Sequence, residues 1–264
     1  MEDCQRLQVR RPSLAAKAVR RLTEGLIVLV MGAGAAAAKC QDAPGPGVDW
    51  SGCSKARLVL TGEDLTGTIF QRSLLTLSDF ASSKMAGANL SETEVSRTRF
   101  EGADLSRADF TKALGWRANF GQANLNGAAF VSADMSRSNF AQVKAAGANF
   151  SKAELNRSDF SGADLTRASL TKAELARVLF QSSKLSGADF SYSNLSRARL
   201  DGLDLQGVNF TGTYLFLTQI GGSDLSGATG LTQAQVDIAC GTAQTKLPPG
   251  LSQPKAWPCK DEED

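Results

Sequence analysis

The chain has 264 residues, of which 42% are hydrophobic and 21% charged, and its net charge is +2. This length allows one or two domains, and the apolar fraction excludes a disordered chain. Histidine is absent, so the commonest metal ligand and the usual general base are missing. The sequence also lacks a phosphate-binding glycine loop, a nucleophile elbow and clustered zinc-type cysteines. We therefore expect no enzymatic activity, no cofactor and no metal.

The N-terminal segment, residues 1–38, has the pattern of a secretory signal peptide. Basic residues precede a short apolar run in GLIVLVMGAGAAAAKC, which contains a small-residue site that ends at Ala38. The run is shorter than the roughly 20 residues that cross a bilayer. We expect cleavage after Ala38, a mature chain without a transmembrane span, and a periplasmic or secreted location. A retained membrane-proximal helix and a start codon placed too early are the alternatives.

Four cysteines follow the predicted leader: Cys40, Cys53, Cys240 and Cys259. An even number of cysteines in an exported chain indicates disulfides. Three pairings are formally possible, and the fold has to select among them.

The central region repeats an apolar residue at every fifth position from Leu60 to Leu225, without insertion or deletion. All of these centres are Leu, Phe, Met, Val or Ile except Gly115 and Ala145, and the residue two before a centre is almost always small. A period of five fits neither the 3.6 residues of a helix nor the 2 of a strand. Large and small residues therefore point together into one narrow core.

A longer period of twenty residues overlies the first. Phenylalanine recurs on multiples of ten, and six arginines recur every twenty residues: Arg97, Arg117, Arg137, Arg157, Arg177 and Arg197. Four five-residue sides therefore form one coil, and the coils must stack to bury their apolar faces. The region contains 34 sides, or about 8.5 coils. At a backbone spacing of about 4.8 Å these coils form a rod of roughly 40 Å.

The repeats AGANL, EGADL, SRADF and SGADL resemble the Ala-Asp/Asn-Leu/Phe-x-x signature of the pentapeptide-repeat family, over about two-thirds of the chain. The resemblance implies an all-β solenoid, the right-handed quadrilateral β-helix, with the centres and the small residues inside. We expect an N-terminal linker and cap at 39–54 and the repeats at 55–230. A C-terminal cap helix with a Pro-rich, acidic tail should occupy 231–264.

Both ends of such a rod need a cap, because open backbone edges promote aggregation. At the C-terminal end, Thr232 and Gln235 form a predicted capping box, and Gly241 is the predicted end of the helix. A disulfide allows no more than about 7 Å between its Cα atoms, which excludes pairing between opposite ends of the rod. We therefore expect the disulfides Cys40–Cys53 and Cys240–Cys259.

The six recurring arginines, together with Leu114 and Trp116, are the candidate interaction surface. A ladder of guanidinium groups can bind a polyanion, because affinity grows with the number of neutralised charges. The alternative is a solvated, self-compensated surface. Acids stand three residues before four of the arginines: Glu94, Asp134, Glu154 and Glu174.

The repeat is interrupted at Gly115, where a leucine is expected. Leu114, Trp116 and Arg117 surround it, and no acid stands three residues before Arg117. Tryptophan and arginine anchor many interfaces, so this coil is a candidate recognition spot. Alternatively, Trp116 folds over the space left by the missing side chain and fills it, or the N-terminal segment covers Trp116.

Three apolar residues near the far end also lie off the repeat centres: Tyr214, Phe216 and Leu217. We expect the cap helix to cover them through Val236 and Ile238.

The absence of catalytic motifs favours an exported, non-enzymatic scaffold, a structural or protein-interaction module with an unknown protein or envelope component as partner. Binding of a polyanion or envelope polymer through the arginines is the alternative. The best-known members of the family resemble DNA and inhibit type II topoisomerases. Residues 55–230 here contain 19 Lys/Arg and 17 Asp/Glu, so the acidic surface that such mimicry needs is missing, and the predicted leader would carry the protein away from DNA. Both features disfavour a topoisomerase inhibitor, which is a further alternative. We expect no nucleic-acid partner. A homodimer through the terminal cap is left open.

Overall fold

The computed structural model describes residues 39–259, which form a four-sided solenoid of stacked coils. Single-residue parallel bridges join residues twenty positions apart, from Asp49↔Ile69 to Asn209↔Thr229. The backbone N–H groups donate to carbonyls of the next coil, as Phe130 N does to the Asn149 carbonyl at 2.7 Å. Each side of a coil therefore contains a single bridged residue, and its backbone hydrogen bonds are made to the coils stacked next to it.

The first coil begins inside the segment 39–54, which was expected to form a linker and cap. Asp49 already takes part in the bridge ladder. Trp50 is 1% exposed, and its ring packs on Phe70 with the centroids 5.6 Å apart. The sequence VDWSG is thus a repeat whose centre is tryptophan. The Cys40–Cys53 disulfide joins the preceding turn to this coil.

The core is built from phenylalanine rings on two opposite sides of the coil and mostly leucine on the other two. Phe120 and Phe140, one coil apart, stack with centroids 4.8 Å apart and an interplanar angle of 5°. Phe130, on the opposite side, meets Phe140 edge-on at 5.8 Å and 83°. Such ring pairs add about 0.5–1.5 kcal/mol each beyond area burial. The ten-residue spacing of phenylalanine is therefore the spacing of two facing stacks.

The Asp or Asn before a repeat centre has a structural role in the turn that follows. Its side-chain oxygen accepts a hydrogen bond from the backbone N–H two residues later. Asp164 accepts from Thr166 N at 3.1 Å, and Asp189 accepts from Ser191 N at 2.9 Å. This Asx turn starts the corner of the coil, which explains why the signature contains Asp or Asn at this place.

Each corner holds the residue two after the centre in the left-handed region of backbone space. Here φ is 60° at Arg137 and 65° at Gly147. Glycine adopts this conformation freely, whereas other residues do so at a cost of about 1–2 kcal/mol. Three of the four corner columns contain glycines. The fourth has none from Arg57 to Leu217.

The C-terminal cap begins with helix α1, Gln233–Asp237. The predicted capping box is present: the Thr232 hydroxyl accepts from Gln235 N, and the Gln235 side chain accepts from Thr232 N at 2.9 Å. The helix ends at Asp237, before the predicted stop at Gly241. Gly241 instead lies against the Trp257 ring, where a Cβ would overlap ring atoms.

The tail after α1 returns to the solenoid and covers its last coil. Cys240 and Lys246 form parallel bridges with residues of that coil. The Cys240–Cys259 disulfide fixes the end of the tail, and Trp257 Nε1 donates to the Ala239 carbonyl at 2.6 Å. The open backbone edge expected at this end is therefore paired.

The predicted signal peptide, residues 1–38, lies outside the described residues. Between residues 39 and 259, no helix combines the length and the apolar character needed to cross a bilayer.

Candidate interaction surface

One side of the solenoid carries all the candidate surface residues, and we call it the arginine wall. Its outward column consists of the bridged residues Ser54, Leu74, Glu94, Leu114, Asp134, Glu154, Glu174, Asn194 and Tyr214. Its corner column, three residues later in each coil, consists of Arg57, Leu77, Arg97, Arg117, Arg137, Arg157, Arg177, Arg197 and Leu217. We call an outward residue and the corner residue of the same coil one rung.

The arginine wall also holds most of the exposed large hydrophobic side chains. Of eight such residues in the described part of the chain, five lie on it: Leu74, Leu77, Leu114, Tyr214 and Phe216. Tyr214 is 52% exposed and stacks on Phe216 with centroids 6.1 Å apart. The expectation that the cap helix covers them is wrong, because the short helix turns Val236 into the core and leaves Ile238 37% exposed.

The gap at Gly115 is filled from the neighbouring coils. A Cβ on Gly115 would overlap the Sδ of Met135 and would lie 3.0 Å from Cγ2 of Val95. Met135 is fully buried, and its flexible thioether side chain suits such irregular spaces. The expectation that Trp116 fills the gap is therefore wrong.

Trp116 lies half-buried at the surface, against two arginines of successive coils. The guanidinium carbon of Arg117 is 4.2 Å from the centroid of its ring, and that of Arg97 is 5.4 Å from it. A guanidinium within about 6 Å of an aromatic centroid is attracted by the ring, by about 0.5–1 kcal/mol at exposed sites. The ring thus holds both cations beside the exposed Leu114.

Three acids of the outward column accept hydrogen bonds from groups other than arginine. Glu174 accepts one from Asn194 Nδ2 at 2.9 Å. Glu94 accepts a hydrogen bond from Ser96 N at 3.3 Å, and Asp134 accepts one from Ser136 N at 3.0 Å. Arg177 and Arg197 have interaction partners. Within residues 39–259, no carboxylate oxygen lies within 4.0 Å of a guanidinium nitrogen of Arg97, Arg117, Arg137 or Arg157. Direct self-compensation by ion pairs is thus absent at these four positions.

Ion pairs between coils do form elsewhere on the solenoid. Arg99 Nη1 lies 2.8 Å from Asp79 Oδ2 on the adjacent side, and Arg72 Nε lies 2.9 Å from Glu92 Oε2 on another corner. The hydrogen bond from Arg72 holds the pKa of the Glu92 carboxyl below its ordinary value. The geometry of stacked coils therefore permits such pairs.

The four-sided stack of five-residue repeats defines a class of β-solenoid proteins, and sequence models of that class match the chain. A model of a pentapeptide repeat region matches residues 115–190 and 133–210. A model of pentapeptide repeats in 8 copies matches residues 60–97, 83–114 and 193–229. The matches cover the solenoid without a gap from residue 60 to 229. The chain belongs to the pentapeptide-repeat family.

Several solved structures are similar to this chain. QnrB1, a plasmid-mediated fluoroquinolone resistance protein, is 22% identical over 74% of this chain and 91% of its own, with a TM-score of 0.44. HetL from the cyanobacterium Nostoc sp. strain PCC 7120, a pentapeptide repeat protein involved in heterocyst differentiation regulation, is 26% identical over 69% and 89%, with a TM-score of 0.34. A pentapeptide repeat protein of the Arabidopsis thaliana thylakoid lumen is 34% identical over 36% and 63%, with a TM-score of 0.24. No curated protein sequence matches the chain.

Proposed function

We propose that this chain is an exported, non-enzymatic scaffold that acts as a structural or protein-interaction module, with the arginine wall as its binding surface. The observation that carries the proposal is the concentration of exposed apolar side chains on the wall that also bears the arginine column. Protein interfaces are enriched in aromatic residues and arginine. On this wall the aromatic anchors are Trp116 and Tyr214, and Leu114 is an exposed apolar residue of the same coil as Trp116.

Export is supported by two features that are independent of the wall. Residues 1–38 have the pattern of a cleavable leader. The disulfides Cys40–Cys53 and Cys240–Cys259 belong to an oxidising compartment, because cytosolic thiols are kept reduced. We propose cleavage after Ala38 and a periplasmic or secreted location.

The intact mass of the protein from fractionated host cells tests export. We expect a periplasmic or secreted species that begins at Lys39 and accepts four thiol labels only after reduction, because four cysteines remain after cleavage. A cytoplasmic, full-length species with free thiols would contradict the proposed location.

Site-specific photocrosslinking in the host envelope tests the binding surface. Benzoylphenylalanine is placed singly at position 114 or 214 on the arginine wall, and at the exposed position 144 on the opposite side as the matched control. We expect discrete adducts from 114 and 214 and none from 144. Equal yields from all three positions would show that the wall is not a specific surface.

A second candidate, binding of a polyanion or envelope polymer, is favoured by the arginine column itself. Affinity for a polyphosphate chain would then fall steeply with salt. Arg117→Glu and Arg137→Glu would abolish binding, whereas Lys152→Glu, on a different corner, would change it little. Binding that does not depend on salt would exclude this candidate.

A further inference from the structure

The two columns of the arginine wall complement each other rung by rung. Four rungs combine an acid with an arginine: Glu94 with Arg97, Asp134 with Arg137, Glu154 with Arg157, and Glu174 with Arg177. Two rungs combine apolar residues: Leu74 with Leu77, and Tyr214 with Leu217. The other three rungs place Ser54 with Arg57, Leu114 with Arg117 and Asn194 with Arg197. No rung of the wall contains two like charges.

We propose that a second copy of this chain docks on the arginine wall, with the two solenoids parallel and a two-fold axis running along them between the two columns. Every rung then faces the same rung of the other copy, and each outward column faces the other copy's corner column. Such an isologous contact is the commonest arrangement in homo-oligomers. This inference rests on the function proposed above, in which the wall is a binding surface.

The charges of the wall select this orientation. With parallel axes, each of the four arginines that share a rung with an acid meets that acid in the other copy, and each apolar rung meets the same apolar rung. With antiparallel axes, the arginine column would lie on itself, and like charges face each other at a high cost. Of the two arrangements, only the parallel one places no like charges opposite each other in any rung.

Three rungs also leave charges available for such a contact. Arg97, Arg137 and Arg157 have no carboxylate oxygen within 4.0 Å in residues 39–259, although each shares its rung with an acid. In the two apolar rungs, Leu77 is 48% and Tyr214 52% exposed. A second copy supplies both the missing counter-charges and the missing apolar cover.

The dimensions of the wall predict a weak dimer. Nine rungs at about 4.8 Å extend over roughly 40 Å, and the two columns lie about 10 Å apart along the backbone. The contact would cover on the order of 400 Å² per copy, which is below the roughly 800 Å² of a standard interface. We therefore expect a dimer that dissociates near micromolar concentration and weakens as salt is raised.

Charge reversal on the rung of Glu154 and Arg157 tests the proposal. Glu154 is chosen because Glu94 and Asp134 also accept hydrogen bonds in their own turns. Sedimentation equilibrium of the purified, oxidised protein would give the dissociation constant. Arg157→Glu and Glu154→Arg should each weaken the dimer about tenfold or more, because each places like charges opposite each other at two symmetric positions.

The same two substitutions provide the decisive controls. The double swap Glu154→Arg/Arg157→Glu should restore the dimer, because the rung faces itself. An equimolar mixture of the two single variants should form a heterodimer for the same reason. Lys152→Glu, on another corner, should leave the dissociation constant unchanged, and thermal melting would show that every variant is folded.

Three outcomes would overturn the inference. Weakening by the single reversals without rescue by the swap or the mixture would exclude this register. A monomer at all concentrations that still gives photocrosslinks from positions 114 and 214 would exclude the second copy as partner and would leave the proposed function intact. A monomer without those crosslinks would overturn both proposals.

Discussion

Two adjacent sides of the solenoid meet at the corner column that carries the arginines. They have the same backbone, but their surface side chains interact differently. On the side that bears Asp79 and Arg99, side chains of successive coils pair: Arg99 lies 2.8 Å from Asp79 Oδ2, and Asn139 Nδ2 donates to Asn119 Oδ1 at 2.9 Å. On the arginine wall, Arg97, Arg137 and Arg157 have no carboxylate oxygen within 4.0 Å in residues 39–259, and leucine and tyrosine side chains face solvent. One polar contact between coils there joins an amide to an acid: Asn194 Nδ2 donates to Glu174 Oε2 at 2.9 Å. The repeat therefore fixes where a side chain lies, but residue choice decides whether a side pairs within itself or is left available to a partner.

The largest effect is expected below the arginine wall, at Met135. Met135→Ala should remove about 2–5 kcal/mol of the free energy of unfolding, because it opens a cavity next to Gly115. The double variant Gly115→Leu/Met135→Ala should recover most of this loss, since leucine is the usual centre and would have room. Urea unfolding measures both. A double variant no more stable than Met135→Ala would show that Met135 does not fill the gap at Gly115.

Substitutions at the corners should have an intermediate effect on the free energy of unfolding. Arg157→Gly should raise the free energy of unfolding by about 0.5–1 kcal/mol, because glycine relieves the left-handed backbone while losing some chain entropy. Gly147→Ala should lower it by about 1 kcal/mol; nothing lies within 4 Å of a Cβ there, so only the backbone is tested. A loss of stability with Arg157→Gly would mean that the arginine side chain stabilises the monomer.

Double-mutant cycles compare the two sides directly. We expect a coupling free energy of about 0.2–1 kcal/mol between Arg99 and Asp79, as for exposed ion pairs, and a value near zero between Arg97 and Glu94. The measurement is made below the dissociation constant, so that only contacts within one chain contribute. A coupling between Arg97 and Glu94 equal to that of the first pair would remove the contrast between the two sides.

The smallest expected effect is a loss of stability at acid pH that arises at the C-terminal cap. The Nζ of Lys246 and the hydroxyl and N–H of Ser226 donate to Asp224, and they hold the pKa of its carboxyl well below the usual range. A lowered pKa in the folded state stabilises the protein above about pH 4, and this contribution is lost as the pH falls further.

The dependence of the melting temperature on pH between about 6 and 2 measures this contribution. Asp224→Asn should make the curve flatter, and Asp204→Asn, one coil below in the same column, is the matched control. An unchanged curve for Asp224→Asn would show that the Lys246 contact does not contribute.

The sequence predicts the fold well because coil length, core positions and capping box all follow from local spacing. The first coil begins before residue 55, the predicted start of the repeats. Val48, Asp49 and Trp50 have the spacing of a repeat, but tryptophan is not one of the usual centre residues. The role of Met135 could not be predicted, because the period does not set the direction of a long flexible side chain. The exposure of Tyr214 could not be predicted either, because the period does not set how far a five-residue helix extends over the last coil. The arginine column could be predicted from the sequence. The absence of a carboxylate within 4.0 Å of Arg97, Arg117, Arg137 and Arg157 in residues 39–259 could not, because the period does not set where a long charged side chain points.

The twenty-residue coil allows the solenoid to change its length in steps of one coil. Deleting twenty residues within the repeats shortens it by one coil, about 4.8 Å, and leaves every later residue on the same side. Deleting five rotates everything downstream by a quarter turn, so that later arginines move to a different side. The length of the wall can therefore change in whole steps without any change in its chemistry, and a partner that spans several rungs would detect the loss of a single one.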